Sequence, residues 1–484
     1  MAITHEQLIY SQIIPPVAEL QLLDEELLLL QEGVQFKVHG ANAGAVENIA
    51  QQYWNIAPTV ETLPSQKAMA AEGYEIAVNS EGVEIKAASM AGVRHALRTL
   101  RQLSEAERGV DKSTFFTLPH VHINDAPIMD FRAISYYWFP ETPLWEIEKL
   151  IRLAAYYKFN YISIESWGVF QWDSFPELGW KELAVDKAEV KRLVALARDL
   201  GVTLFPQLNI FGHASYARTI TGKHALLDFH PEYASLLEPD GWTWCLSNPA
   251  TRQRLTNLVC EAHELFDNPP YFHIGCDEAF NAGTCSSCRR ADYKQLLSDH
   301  LNYFHDLLQQ RGARTMMWHD MLLAGDDPRW KGYTAFGTRD GGMDQLYRDL
   351  PRDTIICVWE YEYPETNGKP PHWPTLQFFH ENDFDVVATP WLNQAGTASL
   401  GEMVVKENMM GMLMGSCHKN HGAGTYAIYY SGARSSWSGL RTEYPVQYRE
   451  YLNRHMRDVG HDMKITQYVQ TGNTQYQVNP HEHA

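Results

Sequence analysis

Between Val34 and Ser89 the chain alternates apolar and polar positions, in "VQFKVHG" and again in "GYEIAVNSEGVEIKAAS". A period of two sends successive side chains to opposite faces, so these stretches predict half-buried strands. The turn Asn79-Ser80-Glu81-Gly82 joins two of them as a β-hairpin. The next stretch, "MAGVRHALRTLRQLSE", has apolar residues at helical spacing. Strands followed by a helix predict a compact α+β domain over residues 1–125, closed by the punctuating "INDAP".

Beyond that point the pattern changes to short apolar runs separated by helical periods. The runs are "FRAISYYW" from 131, "NYISIES" from 160, "VTLFPQLN" from 202, "YFHIGCDE" from 271, "RTMMWHD" from 314, "TIICVWEYE" from 354, "FDVVATPWLN" from 384 and "MGMLMGS" from 410. Between them lie segments such as "PLWEIEKLIRLAAYYK", "DKAEVKRLVALARDLG" and "ADYKQLLSDHLNYFHDLLQQRG". Eight strands alternating with helices predict a (β/α)8 TIM barrel, an α/β catalytic domain over residues 126–457, followed by a tail at 458–484. Such barrels carry their chemistry at the C-terminal ends of the strands. Those ends here bear Glu165, Asn209, Asp277, Glu278, His319, Asp320, Glu360, Trp391 and Asn393. The long connections after the third and fourth strands, with the tryptophan-bearing "GWTWCLSN", are expected to wall a pocket.

Composition narrows the partners. The chain has 484 residues, 45% hydrophobic and 20% charged, the balance of a globular protein. Its formal charge of -19 disfavours nucleic acid or an anionic membrane as a partner and suits a neutral substrate. The first residues, "MAITHEQLIYSQIIPP", lack the basic and apolar segments of a signal peptide, and "LQLLDEELLLLQEG" is too short and too acidic for a membrane span. A cytoplasmic location is therefore expected. Seven cysteines, mostly scattered, argue against a disulfide framework. Oligomeric state is not legible.

The acid-rich end of "YFHIGCDEAF" carries the chemistry. On a regular strand Asp277 and Glu278 point to opposite sides, which suits two carboxylates flanking a substrate better than a shared-proton dyad. Glycoside cleavage uses such a pair: one group protonates the leaving oxygen and another stabilises charge at the anomeric carbon. In the substrate-assisted variant the sugar's own 2-acetamido oxygen is the nucleophile, and the second carboxylate orients it.

His273, Gly275, Asp277 and Glu278 match the H-x-G-x-D-E signature of the family 20 glycoside hydrolases, the β-N-acetylhexosaminidases, and the chain resembles that family from about residue 35 to 440. "DAPIMDFRAI", "KFN", "FPQLNIFGHASYA", "MMWHDM" and "PWLNQ" resemble its other strand motifs, and "AGVRHALRTLRQL" the helix of its small N-terminal domain. The resemblance implies an exo-acting retaining hydrolase for glycans or glycoconjugates with a terminal β-linked N-acetylhexosamine, with no cofactor and no metal. It implies Glu278 as general acid/base and Asp277 as the group that orients the acetamide. Arg132 would hold sugar hydroxyls, His213 would support Glu278, and Trp318, Trp359 and Trp391 would wall the sugar; Glu165, Asp320 and Asn393 complete the implied binding set.

The chain also departs from the family pattern. Gln207 and Asn209 stand where acids are usual, Asn393 replaces an aspartate, and Trp391 stands at the position of a tyrosine that donates to the acetamide oxygen. An indole N–H at that position would preserve the donor, with Tyr363 or His418 as the other candidates. The resemblance implies that several of these positions contact the sugar's outer hydroxyls, so the changes favour tolerance of, or preference for, N-acetylgalactosamine. "CSSC", Cys285 to Cys288, supplies two of the four ligands of a zinc site, which Cys245 or a histidine would complete; two free thiols are the simpler reading. Two other functions compete with the glycosidase: a metal-dependent barrel hydrolase with His273, Asp277 and Glu278 as ligands, and a non-catalytic carbohydrate-binding barrel.

Overall fold

The computed structural model describes residues 5–109, 113–140, 142–179, 184–214, 226–339, 341–364, 368–416 and 426–439, with short stretches at 454–455, 457–459, 467–471 and 474–478. They fall into two compact units: Met1–Asp130 with Ala155–Lys158 and Ala433–Ala484, and Phe131–Ala154 with Phe159–Gly432.

The first unit is built on a seven-stranded sheet of β1 (Glu19–Leu30), β2 (Gln35–His39), β3 (Thr59–Leu63), β4 (Tyr74–Asn79), β5 (Gly82–Ala87), β6 (Glu105–Arg108) and β7 (Thr114–Asp125). The order is β1-β7-β4-β5-β2-β3, with β6 paired to β7. β4 and β5 form the expected hairpin, with Asn79 opposite Gly82. Their alternation buries Tyr74, Ile76, Val78, Val83, Ile85 and Ala87 on one face. The helix Met90–Leu103 covers that face with Val93, Ala96, Leu97 and Leu100, and Ser89 caps its start by accepting the Ala91 N–H at 3.1 Å. The acid-interrupted "LQLLDEELLLL" is strand β1, whose register against β7 shifts between Leu22 and Leu27, where the three acids fall. Among the described residues no helix is long and apolar enough to cross a membrane. In the C-terminal tail, β16 (Gln467–Thr471) and β17 (Thr474–Val478) pair antiparallel.

The "INDAP" that reads as punctuation also supplies a buried polar hub. Asp125 accepts from Lys158 Nζ at 3.0 Å, from the Tyr74 hydroxyl at 2.5 Å, from the Ala18 N–H at 3.1 Å and from the Trp437 indole at 3.0 and 3.1 Å. The Asp125 and Lys158 side chains are 1% and 0% exposed, so removing either charge strands the other away from water. Asp125→Ala is expected to destabilise this unit by about 3–5 kcal/mol. A urea unfolding midpoint close to that of the wild type would refute this role.

The second unit is a closed barrel of eight parallel strands: β8 (Phe131–Trp138), β9 (Tyr161–Ser166), β10 (Thr203–Gln207), β11 (Tyr271–His273), β12 (Arg314–Trp318), β13 (Ile355–Trp359), β14 (Asp385–Thr389) and β15 (Gly411–Gly415). Each falls on one of the eight apolar runs. Phe131, Ala133, Phe205, Met316, Trp318, Ile355, Cys357, Val387 and Leu413 fill the interior. Alternate residues such as Ile134, Ile162, Leu204, Ile356 and Val386 are also buried, which is why these strands read as continuous apolar runs.

Candidate active site

β11 is only three residues long because its chain turns immediately afterwards. Gly275 and Cys276 have φ of 70° and 81°, and Glu278 has φ of 45°. A Cβ at Gly275 would lie 2.0 Å from Asn209 Oδ1, so only glycine fits there. The neighbouring loop comes equally close, since a Cβ at Gly212 would lie 2.0 Å from the Asp277 carbonyl oxygen. The strand alternation expected for Asp277 and Glu278 therefore does not apply. A left-handed turn brings both carboxylates to one imidazole, with His213 Nε2 3.2 Å from Asp277 Oδ2 and 3.1 Å from Glu278 Oε2.

The two acids nevertheless occupy different environments. The Asp277 side chain is 14% exposed and that of Glu278 is 33% exposed. Burial pushes the Asp277 carboxyl up, but the charge and hydrogen bond of His213, a backbone N–H and His273 outweigh it and hold it below the usual carboxylate value. Asp277 Oδ1 is buried and has no hydrogen-bond partner among the described residues. The Glu278 backbone is clamped at both ends: its N–H donates to Asp320 Oδ2 at 2.9 Å, and its carbonyl accepts the Trp242 indole N–H at 2.7 Å. The His213 ring lies against Trp242, with centroids 4.3 Å apart.

Several sequence-predicted residues are buried and already hydrogen-bonded or packed, and one of them, Asp320, holds this turn directly. Asp320 is fully buried; besides the Glu278 N–H it accepts the Trp359 indole at 3.2 Å, and burial and the Asp277 charge raise its pKa well above the usual value. Glu165 is buried beneath three donors, Trp167, Gln207 and Asn209, the last two at 2.8 and 2.6 Å, so the amides found in place of acids saturate it. Trp318 is 2% exposed and packs on His273 with centroids 4.3 Å apart, inside the barrel. Glu360 accepts from Thr375 and the Thr334 N–H, and burial pushes it up to about 7.

Three other expected residues are placed as follows. Arg132 lies between Phe131 and Ala133, both in the interior layer, so its buried side chain leaves the wall on the opposite side. Asn393 is the N-cap of the helix Gln394–Lys406, its Oδ1 accepting the Gly396 N–H at 2.9 Å. The Trp391 indole N–H donates to the Ser416 carbonyl at 3.2 Å rather than standing ready for an acetamide. His418, one of the two other suggested donors, lies outside the described residues.

Tyr361 lies beside these residues but is marked by none of the sequence motifs. Its ring lies 5.0 Å from Trp359 and 5.3 Å from Trp391, making a continuous aromatic row at the ends of β13 and β14. Strand parity was the available signal, since Trp359 and Tyr361 are two residues apart and Cys357 faces inward. Trp167, stacked on Tyr137 at 5.4 Å, is likewise marked by none of the motifs.

His213, Asp277 and Glu278 offer three ligand atoms within 4.8 Å of one another. His273 does not join them: its Nδ1 accepts the Gly275 N–H at 3.0 Å, and burial lowers its pKa to about 3, so it is neutral.

The profile of glycosyl hydrolase family 20, domain 2, matches residues 10–126, and that of the family's catalytic domain matches residues 146–371. The second match ends before β14 and β15. A beta-hexosaminidase of Porphyromonas gingivalis is 25% identical over 311 residues, 56% of this chain and 38% of that protein. One from Vibrio furnissii is 25% identical over 285 residues, 51% of this chain and 45% of that protein. The chain thus spans less than half the length of these two relatives. Among solved structures, an exo β-N-acetylglucosaminidase of Vibrio harveyi superposes with a TM-score of 0.70 at 17% identity, over 95% of this chain and 78% of that one. A β-N-acetylhexosaminidase of Bacteroides fragilis gives 0.67 at 19%, over 92% and 94%. These likenesses support the fold, and with profiles of one family on both the N-terminal domain and the barrel, the chain belongs to glycosyl hydrolase family 20.

Proposed function

We propose that this chain is an exo-acting, retaining β-N-acetylhexosaminidase that uses its substrate's 2-acetamido group as the nucleophile. The observation that carries the reading is the pairing of a clamped, partly exposed Glu278 with a half-buried, low-pKa Asp277 whose buried Oδ1 has no donor among the described residues. An acetamide N–H is a donor of the right kind for that oxygen. With the N–H held there, the acetamide oxygen attacks the anomeric carbon while the bond to the leaving oxygen breaks and Glu278 gives that oxygen a proton. Asp277 opposes the charge of the cyclic oxazolinium. Glu278, now a base, takes a proton from the water that reopens the ring at the anomeric carbon, restoring the configuration. The row Trp359–Tyr361–Trp391 offers aromatic faces for the apolar side of a sugar.

Discrimination at C4 is expected to be loose, so that β-N-acetylgalactosaminides are cleaved as well as the gluco epimers. Arg132 turns away from the interior and Asn393 is committed to a helix cap, which leaves two of the family's outer-hydroxyl contacts unfilled by these side chains. A panel of aryl β-glycosides differing only at C2 and C4 tests both claims. The 2-hydroxy sugars should not turn over, while the two C4 epimers of the 2-acetamido sugar should have kcat/KM values within about ten-fold, a difference of roughly 1.4 kcal/mol. Comparable rates on plain glucosides or galactosides would remove the acetamido mechanism and favour a metal-activated water at His213, Asp277 and Glu278, which has no need of that group.

A further inference from the structure

We infer that Cys245, Cys285, Cys288 and Glu238 form a structural zinc site that staples the loop after β10 to the loop after β11. Cys285 and Cys288 belong to "CSSC" behind the Asp277–Glu278 turn; Glu238 and Cys245 lie in the preceding barrel loop. The fold brings one ligand atom of each within 4.8 Å of all the others. Cys245 Sγ is 3.7 Å from Cys285 Sγ and 3.7 Å from Cys288 Sγ. A disulfide requires about 2.05 Å. A tetrahedron with zinc–sulfur bonds of about 2.3 Å has edges of about 3.8 Å, the spacing found here.

Glu238 supplies the independent observation. It is 0% exposed, and its Oε1 has no hydrogen-bond partner among the described residues. Its Oε2 accepts the Cys285 N–H at 2.5 Å and the Thr284 hydroxyl at 3.3 Å. A buried carboxylate facing three sulfurs is costly unless a cation joins them. The surroundings also suit thiolates: the Cys288 N–H donates to Cys285 Sγ at 3.3 Å, and the Ser247 hydroxyl to Cys288 Sγ at 3.1 Å. Three soft thiolates and a carboxylate whose ligand atoms converge within 4.8 Å of one another select zinc, and four protein ligands leave no open position for catalysis.

The staple bears on the site because Trp242, whose indole holds the Glu278 carbonyl, stands between Glu238 and Cys245. The backbone there closes on itself, Glu238 N–H to Thr243 O at 2.7 Å and Cys245 N–H to Leu236 O at 2.9 Å, so fixing both ends fixes Trp242.

The test is metal analysis of the full chain purified in zinc-supplemented, chelator-free buffer. About one zinc per chain should survive gel filtration and be released to a chromogenic indicator on unfolding in guanidinium. Cobalt exchanged into the protein should give thiolate charge-transfer bands and the intense visible bands of a tetrahedral site. Glu238→Gln keeps three thiolates and should lose zinc to a chelator about ten-fold faster with an unchanged circular dichroism spectrum. The double variant Cys285→Ser, Cys288→Ser should hold no zinc. Wild-type protein that carries no transition metal and whose thiols react equally fast with and without added zinc would overturn the assignment, as would stoichiometric iron in place of zinc.

Discussion

Replacing Glu278 with glutamine is expected to lower kcat/KM for N-acetylhexosaminides with poor leaving groups by about 100- to 10,000-fold, the usual range for a lost general acid. Activated aryl glycosides, whose leaving oxygen needs little protonation, should lose far less. The substitution is nearly isosteric, and the backbone it rides on is held independently by Asp320 and Trp242 at 2.9 and 2.7 Å. A change in rate then reports the proton and not the position of the side chain. The measurement is kcat/KM across aryl leaving groups of graded acidity, where the variant should show the steeper dependence. An equal loss for every leaving group would take the acid/base role away from Glu278.

Asp277→Asn is expected to cost roughly 100- to 1,000-fold in kcat for good and poor leaving groups alike, because what is lost is charge opposite the developing oxazolinium. The environment makes that charge available: burial alone would favour the neutral acid, but His213 at 3.2 Å and the other partners hold the pKa below 3.8. A lowered folded-state pKa contributes stability that is fully present above the unfolded value and is lost as pH falls through the folded one. Thermal melts of the wild type should therefore decline below about pH 4, and the asparagine variant should lack part of that decline. A loss confined to poor leaving groups would mean that the two carboxylates have exchanged roles.

Much of this was legible in the sequence. The eight barrel strands fall on eight apolar runs because parallel strands are buried on both faces, and the hairpin, the covering helix and the signature around Asp277 and Glu278 are local patterns that the chain carries by itself. What the tertiary structure decided is where side chains point and what already occupies their hydrogen bonds. Positive φ at Gly275, Cys276 and Glu278 turns two neighbouring acids to one His213 from another loop, against the alternation a regular strand would impose. Inward parity at Phe131 and Ala133 sends Arg132 the other way, a cap at Gly396 uses the Asn393 carboxamide, and the Ser416 carbonyl takes the Trp391 N–H. Cys245 meets Cys285 and Cys288 from 40 and 43 positions away. Residue type and spacing record which groups a chain has; only long-range packing determines which of them are satisfied by each other, and a group so satisfied is no longer offered to a ligand.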